Sequence, residues 1–167
     1  MPINIIGTEK FQTNLERWLL KNDQGAGDTL FQMKGGIPLV FRNYSKKLYR
    51  GMTVDDAFIE KAYNGRYTFD RHTAWTKDIK IARKFIDDPA YMLGNASSST
   101  KYKIIITKVV AQRDIILDID SFVTFMGIKQ LEMIGYDETN VRMAANEKEV
   151  LVSRGLSVTR ADYNIIS

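Results

Sequence analysis

The strongest constraint on the fold is the run Tyr102 to Val110 (YKIIITKVV), followed by Asp114 to Ile119 (DIILDI). Side chains branched at Cβ fit a pleated surface better than a helix, so both runs are expected to be central strands. Short strands and single helices alternate around them. Lys47 to Gly51, His72 to Thr76, Glu149 to Val152 and Leu156 to Arg160 read as further strands, the last two joined by a turn at Arg154-Gly155.

Helical periodicity is clearest at about residues 8 to 22, where Phe11, Leu15, Trp18 and Leu19 share a face behind the N-cap candidate Thr8. A second helix is expected at about 54 to 63, opened by Thr53 and Asp56 as a variant capping box and closed at Asn64-Gly65. A third starts at Asp78, with Ile79, Ala82, Phe85 and Ile86 on one face, and stops near Asp88-Pro89. Ser121 to Ile134 reads as a fourth, ended by Gly135. Residues 23 to 46 read as short pieces joined by turns, Gly94 to Thr100 as a loop, and Gly135 to Asn146 as a polar irregular segment. Six or seven strands with a few helices set among them make an α+β domain.

At 167 residues the chain is the size of one domain, and 44% hydrophobic residues with 3 prolines supply a packed core. No stretch reaches the ~18 apolar residues that cross a bilayer, and Met-Pro-Ile-Asn lacks the features of a signal peptide, so a cytoplasmic protein is expected. Cysteine is absent, which removes disulfides, thiolate metal sites and cysteine nucleophiles. With His72 as the one histidine, a His-rich metal site or a Ser/His/Asp triad would have to be built around a single imidazole. The net charge of +4 gives a mild preference for anionic partners.

Three segments carry a chemical pattern by their order along the chain: Leu48-Tyr49-Arg50-Gly51, Thr73-Ala74-Trp75-Thr76, and Glu147-Lys148-Glu149-Val150-Leu151. Together they resemble the Arg, Ser-Thr-Ser and Glu-x-Glu signature of the mono-ADP-ribosyltransferases, the cholera-toxin-like branch that includes small bacteriophage enzymes. The resemblance covers roughly residues 47 to 160, a catalytic core of about 47 to 167 behind a helical segment of about 1 to 46. It implies a split β-sandwich with NAD in the cleft, and no metal.

On that resemblance Glu149 stabilises the positive charge that grows on the ribose as nicotinamide leaves. Residues two apart on a strand share a face, so Glu147 is expected beside it, orienting and deprotonating an acceptor arginine. Arg50 would hold the pyrophosphate and ribose, with Gly51 allowing close approach of the backbone. Thr73, Trp75 and Thr76 would contribute to cofactor binding. Ala74 stands where the family has its first serine, a residue that braces the catalytic glutamate. The segment from Gly135 to Asn146 would be the substrate-recognition turn, with Tyr136 packing on the target. Phe85, Tyr91 and Tyr102 are the candidate aromatics near nicotinamide, and His72 a candidate cofactor contact.

The implied activity is transfer of ADP-ribose from NAD to an arginine of a target protein, with release of nicotinamide. The implied agent is a bacteriophage protein acting on the host's transcription or translation machinery, with neither a membrane nor nucleic acid required. Two alternatives stand beside it. One is an NAD glycohydrolase. The other is a catalytically silent basic module of the same fold, with Lys46, Lys47, Lys77, Lys80, Arg83 and Lys84 as its basic surface.

Overall fold

The β-branched run centred on Ile104 to Ile106 forms the longest strand pairing in the molecule. In the computed structural model, which describes residues 5–87 and 102–166, β1 (Lys47–Val54) and β4 (Tyr102–Val109) pair antiparallel from Lys47 opposite Val109 to Val54 opposite Tyr102. The helix stop at Asp88-Pro89, the loop Gly94 to Thr100 and Tyr91 lie outside the described residues. The remaining strands are β2 (Tyr67–Thr68), β3 (Thr73–Thr76), β5 (Ile115–Asp118), β6 (Glu149–Val152), β7 (Ser157–Val158) and β8 (Tyr163–Ile165).

Six of them form an open antiparallel sheet in the order β5-β6-β3-β1-β4-β8, and β2 with β7 makes a separate ribbon. The expected mixture of helix and strand is present. One expectation is corrected: β4 is interior, but β5 is an edge strand. Its four residues are nonetheless buried, which is why its composition reads as a central strand. Ile116 and Leu117 enter one core and Ile115 another.

The sheet is uneven along its width. β3 and β6 pair from Thr73 opposite Val152 to Thr76 opposite Glu149, whereas β1 and β3 meet at a single pair, Tyr49 opposite Thr76. Within the one six-stranded sheet, β5-β6-β3 and β1-β4-β8 are thus joined through a single registered pair.

Seven helices cover the sheet among the described residues: α1 (Glu9–Lys21), α2 (Gln24–Met33), α3 (Asp56–Asn64), α4 (Ile79–Asp87), α5 (Ile119–Met126), α6 (Ile128–Met133) and α7 (Glu138–Glu147). None of them is long and apolar enough to cross a membrane. Thr8 caps α1, its hydroxyl accepting from the Phe11 N–H. The period-two alternation of β6 sorts its side chains, with Leu151 entering the α1-side core and Val150 and Val152 the opposite one. Phe11, Leu15 and Trp18 of α1 belong to the same core as Leu151, so the N-terminal segment builds the interior.

Three local expectations are corrected. Residues 23 to 46 contain α2, whose two glycines weaken its helix propensity but let it pack closely: a Cβ at Gly27 would stand 2.7 Å from the His72 ring. The fourth helix breaks at Gly127 (φ 81°) into α5 and α6. The segment Gly135 to Asn146 is mostly the helix α7, capped by Asp137, whose carboxylate accepts from the Asn140 N–H. Glu138 and Arg142, one turn apart, pair at 2.7 Å on its outer face.

Candidate active site

A cleft of about 280 Å³ lies beside the β1–β3 junction. Arg50 and Gly51 of β1, Trp75 and Thr76 of β3, Glu149 of β6 and Glu147 of α7 all line it, with Phe85 of α4. Of the residues singled out in the sequence and described in the structure, Thr73, Tyr136, His72 and Tyr102 are not on its walls.

Glu149 opens β6 directly opposite Thr76 and is 7% exposed. Its Oε2 accepts a 2.8 Å hydrogen bond from the indole N–H of Trp18, a fully buried residue of α1. Burial pushes the carboxyl up to about 7, and the nearby Glu147 adds to the rise; the Trp18 bond and the Arg50 charge pull it back. At neutral pH Glu149 is thus poised between its two forms.

Glu147 reaches the cleft from the end of a helix, not from the strand that its spacing to Glu149 predicts. The two glutamates are not neighbours on one strand: Glu147 ends α7, Lys148 adopts the left-handed conformation (φ 48°), and β6 begins at Glu149. The turn stops the helix and brings both carboxylates to the same cleft. Thr76 secures it, its hydroxyl donating to the Glu147 carbonyl at 2.7 Å and accepting from the Asp78 N–H at 3.2 Å. Glu147 is half-buried, which raises its carboxyl as well.

Arg50 points to the same opening from β1. Its Nη1 donates to the Ala74 carbonyl at 2.6 Å, and the guanidinium lies 5.8 Å from the centre of the Phe69 ring. Among the described residues its buried Nε has no hydrogen-bond partner. Desolvation lowers the guanidinium to about 10, assisted by the like charge of Arg71. It remains a cation at any physiological pH. Arg50 is therefore built into the site rather than tied up in a surface ion pair.

Gly51 lines the cleft, but its missing side chain serves α4: a Cβ there would lie 2.0 Å from the Ala82 carbonyl oxygen. The close approach predicted at this glycine is between β1 and α4. Thr73 and Trp75 face the other core, where the Thr73 hydroxyl accepts from the Trp75 indole N–H at 2.8 Å and the Trp75 ring packs edge-on to Phe69. Tyr136 is 3% exposed and packs near Phe122, so it anchors the start of α7 instead of presenting an aromatic to a partner.

His72 is a brace away from the cleft. Its Nε2 is 2.7 Å from Asp28 and its Nδ1 accepts from the Arg154 N–H. The Gln24 amide donates to the His72 carbonyl and accepts from its N–H, joining α2 to the start of β3. Lys77 is likewise removed from the expected basic surface by Asp118 and Asp120, each 2.9 Å from its Nζ.

Sequence reading missed the contribution of α1. Leu19, Leu20, Lys21 and Asn22 form one wall of the cleft, and Trp18 holds its deepest carboxylate. Trp18 lay on the apolar stripe of a helix, where its size explains it as core. The usable signal was its N–H, since a buried indole needs an acceptor. No family model, no curated protein and no solved structure matches the chain.

Proposed function

We propose that the protein is a mono-ADP-ribosyltransferase that moves ADP-ribose from NAD to an arginine of a target protein. The observation that carries this reading is the meeting, in one cleft, of the buried Glu149 carboxylate, the Glu147 carboxylate and the Arg50 guanidinium. The finer fold description, a split β-sandwich, goes with it and draws on the single residue pair that joins β1 to β3.

The chemistry follows from charge. Arg50, on the wall of the cleft, offers a fixed cation to the pyrophosphate and the adjoining ribose. As the bond from ribose C1 to the nicotinamide nitrogen breaks, its electron pair leaves with nicotinamide, and positive charge develops on the ribose. Ionised Glu149, bonded to Trp18 through Oε2, keeps Oε1 for the ribose hydroxyl and opposes that charge in a site of low water content. A guanidino nitrogen of the acceptor then bonds to C1 while Glu147 takes its proton. The products are ADP-ribosylarginine, nicotinamide and one proton.

The partner is a protein carrying the acceptor arginine, and a bacteriophage agent in the host cytoplasm, directed at the transcription or translation machinery, is the setting proposed for it. The test is incubation with labelled NAD and a cell lysate, with nicotinamide release measured alongside protein labelling by mass spectrometry. Label on arginine that disappears in Glu149→Gln supports transfer. Nicotinamide release with no labelled protein would replace it by NAD hydrolysis. Salt-dependent binding of a partner with neither signal would replace it by a silent binding module.

A further inference from the structure

We infer that Trp18 is the positioning residue of the site: its indole N–H fixes the rotamer of Glu149 so that one carboxylate oxygen faces the cleft, and the N-terminal helix is thereby part of the active centre. As a statement about transfer this rests on the function proposed above; as a statement about the Glu149 carboxylate it stands on geometry.

Glu149 needs a brace because it sits at the first position of β6, where its neighbours offer little. Thr76, directly opposite, spends its hydroxyl on the Glu147 carbonyl and the Asp78 N–H. Ala74 pairs with Leu151 and so lies diagonally across from Glu149 on the same face, within reach of a long side chain, but it has no donor. Arg50 turns its Nη1 to the Ala74 carbonyl. Among the described residues, Trp18 is the side chain that donates to Glu149.

The donor is well suited to hold a rotamer. Trp18 is 0% exposed, in the core that also contains Phe11, Leu15 and Leu151, so its ring cannot swing without opening that core. An indole presents one N–H and no acceptor, so it binds one carboxylate oxygen and leaves the other unclaimed. The charges that face Glu149 are Arg50 from β1 and Glu147 from the end of α7, one favouring its ionised form and one opposing it; the Trp18 bond favours ionisation as well.

The test uses the full chain and two readouts. The two tryptophans give two indole N–H signals by NMR. In the wild type one of them should shift with pH around 7, the Glu149 titration, and that shift should vanish in Glu149→Gln. Trp18→Phe, which keeps the ring and removes the donor, should move the acid limb of nicotinamide release up by about one pH unit and lower kcat about tenfold near neutral pH with little change in KM. A purely structural tryptophan would leave the midpoint in place. An indole signal indifferent to Glu149→Gln, or an unmoved midpoint for the Glu149 carboxyl in Trp18→Phe, overturns the inference. Should the wild type release no nicotinamide, the function proposed above fails, and the carboxyl midpoint is read by NMR in both proteins, so that the inference is still decided.

Discussion

Glu149 is the residue at which stability and chemistry pull apart. Its carboxyl ionises at about 7 in the folded protein against roughly 4.3 in an unfolded chain. The folded state therefore keeps a proton that the unfolded state releases, and stability falls as pH rises from about 4 through 7. Glu149→Gln, which still accepts from Trp18, should raise stability by on the order of 3 kcal/mol at pH 8 and by almost nothing at pH 4. Thermal melts at the two pH values check this; equal gains at both would mean the carboxylate is not destabilised by burial. The same variant should abolish nicotinamide release and transfer. For Glu147→Gln the expected outcome is a larger loss of transfer than of NAD cleavage. Because the Glu147 charge raises Glu149, its removal should also move the acid limb of NAD cleavage to lower pH, as a pH series would record. Equal losses in both activities would end the division of labour between the two glutamates.

At the scale of elements, β1 and α4 lie close at Gly51, while β1 and β3 share one registered residue pair beside the cleft. Gly51→Ala would push a methyl into the Ala82 carbonyl and should cost about 3 kcal/mol or more, visible as a lower urea midpoint. A mild effect would show that α4 can retreat. Much of this scale was legible in the sequence: Thr8 and the stripe Phe11, Leu15, Trp18 marked α1, and the run from Tyr102 marked β4. Helix α7 was not, because Val141 and Ala144 are too few to show a period among polar neighbours. Its markers were local instead, the Asp137 cap and the Glu138–Arg142 pair. The same lack of a period hides that Glu147 ends a helix, where a strand's period-two spacing does not apply.

Over the whole molecule, the N-terminal 46 residues are part of the machine. They contribute Phe11, Leu15, Trp18, Leu30, Ile37 and Phe41 to the core that backs β5 and β6, and Gln24 and Asp28 clasp His72. Leu15→Ala should therefore destabilise the protein by about 2–5 kcal/mol. Tryptophan fluorescence and far-UV circular dichroism should still report one coincident transition. Separate transitions would show the N-terminal helices to be an appendage. The sequence by itself determined which residue types were available: an arginine with a following glycine, a pair of glutamates, a chain without cysteine, and the strands and helices whose apolar spacing is regular. Those follow from near-neighbour physics, since periodicity, branching and capping act within a turn or a pleat. Tertiary structure alone decided that positions 50, 147 and 149 share a cleft, that Thr73 lies off its walls, and that position 18 touches position 149. Such contacts span up to 131 residues of chain. They depend on how a sheet pairs and which helix covers it, quantities to which no local pattern is sensitive.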